Sequence, residues 1–115
     1  MESNLNLLVV KYKMEDKLSL VKEAKAANSK IISMPRLLIL KVLEELDRDG
    51  AAYRELRAGL ELDDGVLYAN LRVLCDMGYL KENGITVEKK ELTSYNITDA
   101  GLEAFAEAKS WLRKL

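Results

Sequence analysis

The chain has 115 residues, 49% hydrophobic and 32% charged, with a net charge of −1 at neutral pH, the composition of one globular domain that can bury a modest core. A single proline and six glycines leave no room for a disordered linker, and no apolar run reaches the ~18 residues of a bilayer span or reads as a signal peptide, so a cytoplasmic protein is expected. Cys75 is the only cysteine and histidine is absent, which excludes an internal disulfide and a Ser/His or Cys/His nucleophile pair and argues against a zinc site, a cofactor or an enzyme.

Residues 5–12 fit either a short strand or a lead-in. Over Met14–Ala27, the helical recurrence of Met14, Leu18, Val21 and Ala24 predicts a helix. Its apolar stripe is thin, so it must lie on its own core or on a partner subunit. A stronger helix follows, with Ser33 as N-cap and Pro35 in the first turn. Leu38, Ile39, Val42, Leu43 and Leu46 form its expected buried stripe, and Gly50 stops it. A short extended link, Ala51–Ala52, leads to a brief helix from Tyr53 to Leu60 with Leu56 and Leu60 facing inward.

The turn Glu61-Leu62-Asp63 comes next. Asp63 can cap a helix running to Met77, with Asp64 favourable against the positive end of its dipole. Leu67, Leu71 and Leu74 sit at i, i+4 and i+7 and form the inward stripe. Gly78 ends this helix, and Tyr79–Val87 and Leu92–Ile97 read as antiparallel strands. Asn83-Gly84 is itself a two-residue hairpin signal, which would leave 85–90 as a third strand. The preferred reading puts a bend or bulge at Gly84 and a tip at Glu88–Glu91, carrying Lys89 and Lys90. Thr98 caps a final helix from Asp99 to about Lys114. Leu102, Phe105 and Leu112 give it one apolar stripe, and Ala104, Ala108, Trp111 and Leu115 a second. A terminal helix apolar on two sides wants two partners, the domain core and another subunit.

Helix, short strand, helix, tight turn, helix, hairpin is the order of a winged helix-turn-helix. The expected fold is therefore mostly α with a small β-hairpin, an extra N-terminal helix and a long C-terminal helix. Three parts are expected: an extension over 1–33, a DNA-binding core over 34–97, and a dimerisation helix over 98–115. In such a unit a rigid helix is held outward into the major groove and the hairpin reaches the backbone or minor groove.

The run Asp64-Gly65-Val66-Leu67-Tyr68-Ala69-Asn70-Leu71-Arg72-Val73-Leu74, followed by Gly78-Tyr79-Leu80, resembles the recognition helix and wing of small winged-helix regulators related to the MarR and PadR groups. The run Thr93-Ser94-Tyr95-Asn96-Ile97-Thr98-Asp99-Ala100-Gly101 is similar to the end of their wing. The resemblance covers roughly residues 34–115. It implies a cytoplasmic homodimer that binds duplex DNA at palindromic operators, joined through terminal helices, with Lys89 and Lys90 in the basic wing-tip slot. Many relatives carry polar or basic residues where this chain has Asp64, Gly65, Val66 and Ala69.

Eight side chains are the candidate DNA contacts. Tyr68, Asn70 and Arg72 lie on the helix expected in the groove, against half-buried packing for Tyr68 and an ion pair with Asp76 for Arg72. Arg36, Arg54 and Arg57 on the supporting helices are placed for phosphate, with Glu55 or Glu61 as the competing partners of the last two. Lys89 and Lys90 complete the set at the hairpin tip. Cys75 is expected to be a small buried or half-buried filler rather than a redox sensor, because no basic residue adjoins it. Charge is the opposing fact: residues 51–95 carry −2, whereas DNA binders usually carry a basic surplus. That acidity motivates a second reading, a winged helix used as a protein-interaction module within transcription machinery.

Overall fold

The computed structural model describes residues 18–22 and 31–115. Residues 18–22 are helical, inside the helix expected over Met14–Ala27. The rest of that helix and residues 5–12 lie outside the described residues.

Helix α1 spans Met34–Leu46. The Ser33 hydroxyl accepts the Arg36 N–H at 3.4 Å, and Pro35 sits in the first turn, where a missing N–H costs nothing. The buried face is Ile39, Leu40 and Leu43, whereas Leu38 and Leu46 are each 38% exposed. The face is thus rotated from the expected stripe. Residues 37–40 are apolar on every side of the helix, so periodicity cannot choose among faces, and contact with the rest of the domain does.

A turn at Asp47–Asp49 and Gly50, at φ +62°, lead into strand β1, Ala51–Ala52. Here the chain lies directly on strand β3, Lys90–Ile97. A Cβ on Gly50 would come within 2.5 Å of the Tyr95 carbonyl, and the Asn96 amide donates to the carbonyls of Asp47 and Arg48 at 3.3 and 3.1 Å. Helix α2 spans Tyr53–Leu60 and buries Leu56. The Glu55 carboxylate reaches back to accept the Ala52 N–H at 3.1 Å, and Ala52 has no side-chain oxygen with which to reciprocate.

Helix α3, Asp64–Asp76, follows the turn and packs on α1 and on strand β2, Leu80–Val87. Leu67, Leu71 and Leu74 are fully buried, as the sequence predicts. The sheet runs β1-β3-β2, all antiparallel. Its hairpin pairs without interruption from Leu80 opposite Ile97 to Val87 opposite Lys90, with Gly84 opposite Thr93. Two expectations are corrected by this register. No bulge forms at Gly84, and the tip is the two-residue turn Glu88–Lys89, with Lys90 already in the strand. Both turn residues are left-handed, at φ 51° and 65°, the geometry whose twist suits a tight hairpin. Burial of Leu80 and Tyr95 fixes the register against the shorter hairpin that Asn83-Gly84 alone would favour.

Helix α4, Asp99–Leu112, starts at a compact junction. The Thr98 hydroxyl accepts the Gly101 N–H at 3.0 Å and donates to the Gly78 carbonyl at 2.7 Å, while the Thr98 N–H donates to the Tyr79 carbonyl at 3.0 Å. A Cβ on Gly101 would strike that Tyr79 carbonyl and the Ile97 side chain, so only glycine lets α4 leave the sheet this closely. The inner face of α4 is Gly101, Phe105 and Ala108. Ala108, assigned from the sequence to the outward dimer stripe, is 3% exposed and belongs to the subunit's own core, with Ala104 packed against that core. Trp111 and Leu112 are half-buried and Leu115 is 75% exposed. Lys109 ties α4 to α1 by an ion pair with Glu44 at 2.9 Å and lies 4.5 Å over the Phe105 ring. Among the described residues, no helix is long and apolar enough to cross a membrane, and no cluster of three potential metal ligands exists.

Candidate nucleic-acid interface

The three buried leucines of α3 clamp one side of the helix and leave its first two turns outward. Asp64, Gly65, Val66, Tyr68 and Ala69 are all exposed there, Tyr68 at 56%. Asp63 occupies the N-cap position, but its side chain makes no capping hydrogen bond. The turn from α2 into α3 is made instead by Glu61 in the left-handed region, at φ 52°.

The candidate polar residues fall into two groups. The first group is engaged inside the subunit. Arg36 Nε donates to Asn70 Oδ1 at 2.8 Å, and Asn70 Nδ2 donates to the Val66 carbonyl at 2.7 Å, so both ends of the Asn70 amide are occupied. Arg72 pairs with Glu82 on β2 at 2.9 Å and with Asp76 at 3.4 Å. The Glu82 carboxylate is the main cause of a guanidinium pKa raised above its ordinary value. Arg57 Nε lies 3.6 Å from Asp64 Oδ1, and the Tyr53 hydroxyl donates to the same oxygen. That hydrogen bond is the main cause of a raised Tyr53 pKa.

The second group comprises Arg54, Lys89 and Lys90. All three are exposed and none has an ion-pair partner among the described residues. The fold therefore brings Arg36 and Arg57 against α3, which carries Arg72 itself, and sets Lys89 and Lys90 apart, at the far end of the hairpin. The Arg57 and Arg72 pairs are largely exposed, with side-chain accessibilities of 41–73%, and such pairs contribute about 1 kcal/mol or less. Phosphates can displace them.

A groove of about 540 Å³ separates the start of α3 from the wing, lined by Tyr53, Asp64, Tyr68, Glu91, Leu92 and Tyr95 among others. Its floor is firm: Tyr95 is 2% exposed, and burial pushes its phenol up to about 12. Cys75 is half-buried with its thiol pKa raised, first by burial, the opposite of an activated thiolate.

Tyr53, Asp64 and Glu82 acquire roles that the sequence did not assign to them. Tyr53 precedes Asp64 by eleven residues, a separation with no periodic signature. Only the placement of two consecutive helix starts side by side joins them. Glu82 meets Arg72 across the helix–strand junction, while the local partner, Asp76, was visible at i+4.

The sequence model of a family described as a winged helix DNA-binding domain matches residues 36–115. No curated protein matches the sequence. Among solved structures, S. aureus MepR, in a complex with DNA, aligns with a TM-score of 0.65 at 13% identity, over 92% of this chain and 81% of that one. A PadR-like transcription factor from Bacteroides fragilis aligns at 0.57 and 16% identity, over 70% and 84%. TA0346 of Thermoplasma acidophilum aligns at 0.59 and 26% identity, again over 70% and 84%. At 13% and 16% identity the likeness is one of fold.

Proposed function

The chain belongs to the winged helix DNA-binding domain family, and from that premise we propose that it is a cytoplasmic transcriptional regulator of the MarR and PadR kind, binding duplex DNA as a homodimer. In this reading residues 34–97 are the DNA reader, α3 enters the major groove and the β2–β3 wing follows the adjacent backbone. The observation that carries the reading is the mounting of α3. Three fully buried leucines hold its first turns clear of the domain, beside a hairpin ending in Lys89 and Lys90. Arg36, Arg54 and Arg57 would serve phosphates, with Tyr68, Asn70 and Arg72 nearest the base edges. The segment's acidity weakens binding to every duplex, and the exposed, exchangeable ion pairs leave its arginines able to turn to phosphate.

Salt dependence tests it. Arg54, Lys89 and Lys90, the exposed candidate cations without ion pairs among the described residues, would offer six phosphate contacts in a dimer. Each contributes about −0.9 to the slope of log K against log salt, so a slope of about −5 is expected. Arg54→Ala should flatten it by roughly two units for a dimer and weaken binding to all sequences alike. Titration of a random-sequence duplex pool at low salt is the direct measurement. Failure to bind at ~10 µM protein would sink the DNA reading, since non-specific binding normally falls in that range. A protein partner would then be sought.

The dimer is proposed to form on the outer side of α4 over residues 98–115, through Trp111 and Leu115. Ala104 lies beside this seam and Ala108 has no part in it. The supporting observation is the 75% exposure of Leu115, next to a Trp111 that is only half-buried. On α1, Met34 is a further exposed apolar residue, at 69%. Trp111→Glu is expected to yield a folded monomer by light scattering. A wild-type protein that is monomeric at tens of micromolar overturns the proposal.

A further inference from the structure

The polar side chains of α3 are unequal in their freedom. Asn70 has both amide ends engaged and Arg72 is held by two carboxylates. On the first two turns, the part of a recognition helix that meets base edges, the exposed polar groups are Asp64 and Tyr68. Asp64 is the better defined of the two. Its Oδ1 accepts from the Tyr53 hydroxyl and lies 3.6 Å from Arg57 Nε. The same Tyr53 hydroxyl is 3.2 Å from the Asp64 carbonyl oxygen. Both restraints act on one carboxylate oxygen. The other, Oδ2, has no partner among the described residues, on a side chain that is 61% exposed.

A fixed carboxylate on a DNA-binding face is repelled by every phosphate nearby, so it weakens binding to all sequences. It is compensated only where a base edge presents a donor. In the major groove cytosine offers its N4 amino group. Adenine places the N7 acceptor next to its N6 donor, and a carboxylate meeting both is partly repelled. We propose that Asp64 is the sequence-determining residue of α3, accepting a hydrogen bond from a cytosine through Oδ2, and that Tyr53 is the positioning residue that holds it. The proposal rests on α3 entering the major groove. Repulsion and readout then come from one side chain, so the residue that lowers affinity for random DNA also creates the preference.

The test is selection from randomised duplexes by the full chain, followed by titration of random DNA, for wild type, Asp64→Asn and Tyr53→Phe. Wild type should enrich cytosine at one position per half-site, by about tenfold over the other bases. Asp64→Asn should lose cytosine there, shift toward adenine, which an amide reads through N6 and N7, and bind random DNA several-fold more tightly. Tyr53→Phe keeps the charge and should relax the preference at that same position without any gain on random DNA. A merely structural role for Tyr53 would not produce that split. Unchanged base preferences in Asp64→Asn, with tighter binding to every duplex, would reduce Asp64 to a repulsive charge and overturn the proposal. If Asp64→Asn melts early, Tyr53→Phe decides alone, and an unchanged preference overturns it. Wild type that selects no duplex at all removes the DNA-binding reading first and this one with it.

Discussion

Leu71→Ala is expected to lower the free energy of unfolding by about 2–5 kcal/mol, the loss seen when a fully buried leucine is truncated. Leu71 has no exposure and lies one turn from both Leu67 and Leu74, which are equally buried. Helix α3 is pinned there against α1 and β2, so the cavity cannot collapse by moving one element alone. Domains of this size are stable by about 5–15 kcal/mol in all, so the change consumes a large share. Chemical denaturation should show the midpoint falling with the slope unchanged. Val66→Ala on the same helix removes a side chain that is 41% exposed and should cost about 0.5 kcal/mol or less. A Leu71→Ala loss below ~1 kcal/mol would mean that α3 faces the core with another side.

Lys89→Ala combined with Lys90→Ala should have the largest effect on DNA binding. These lysines stand at the turn where the hairpin reverses, without ion-pair partners among the described residues. They lose little on meeting a phosphate. A dimer forfeits four cations, which flattens the salt slope from about −5 to about −2 and lowers affinity near 0.15 M salt by about a thousandfold. Lys41→Ala is the control, because Lys41 pairs with Glu44 and Glu45 on α1 at 3.8 and 3.2 Å, next to α4 and away from the wing. Equal losses in the two variants would mean that bulk charge, not the wing, governs binding.

The parts legible in the sequence are those where local chemistry allows one answer. The leucines of α3 could be placed because they are the only leucines in it and recur at i, i+4 and i+7, one face of a helix. The Thr98 cap could be placed because a helix N-terminus favours a hydroxyl at that position. Helix α1 was misjudged because residues 37–40 are apolar all round, and Ala108 because an alanine is tolerated on either face of α4. The hairpin tip was legible only to within two residues, because Glu88 and Lys89 adopt left-handed backbone without the glycine or asparagine that usually signals it, while Asn83-Gly84 signals a turn that tertiary packing overrides. Of the engagement of the candidate DNA contacts, only the local pair of Arg72 with Asp76 was legible. Whether an arginine is free depends on which distant acid the fold delivers to it, as Glu82 is delivered to Arg72 and Asp64 to Arg57.

The junction at Thr98 has a mechanical consequence. One residue's hydroxyl and amide bind the carbonyls that open the wing, cap the helix that closes the domain, and sit where the third backbone segment leaves the sheet. There is no slack at this root, so α4 and the hairpin move as one body, like a handle and its pointer. The pointer is an eight-residue strand pair, about 26 Å long at ~3.3 Å per residue. A 10° tilt of the handle swings the tip by about 4–5 Å, more than the ~3.4 Å of duplex axis that each phosphate of a strand occupies. In the proposed dimer, how two copies lean on one another along α4 would set the span between their two wing tips, and a small adjustment at the seam would put them in or out of step with a duplex.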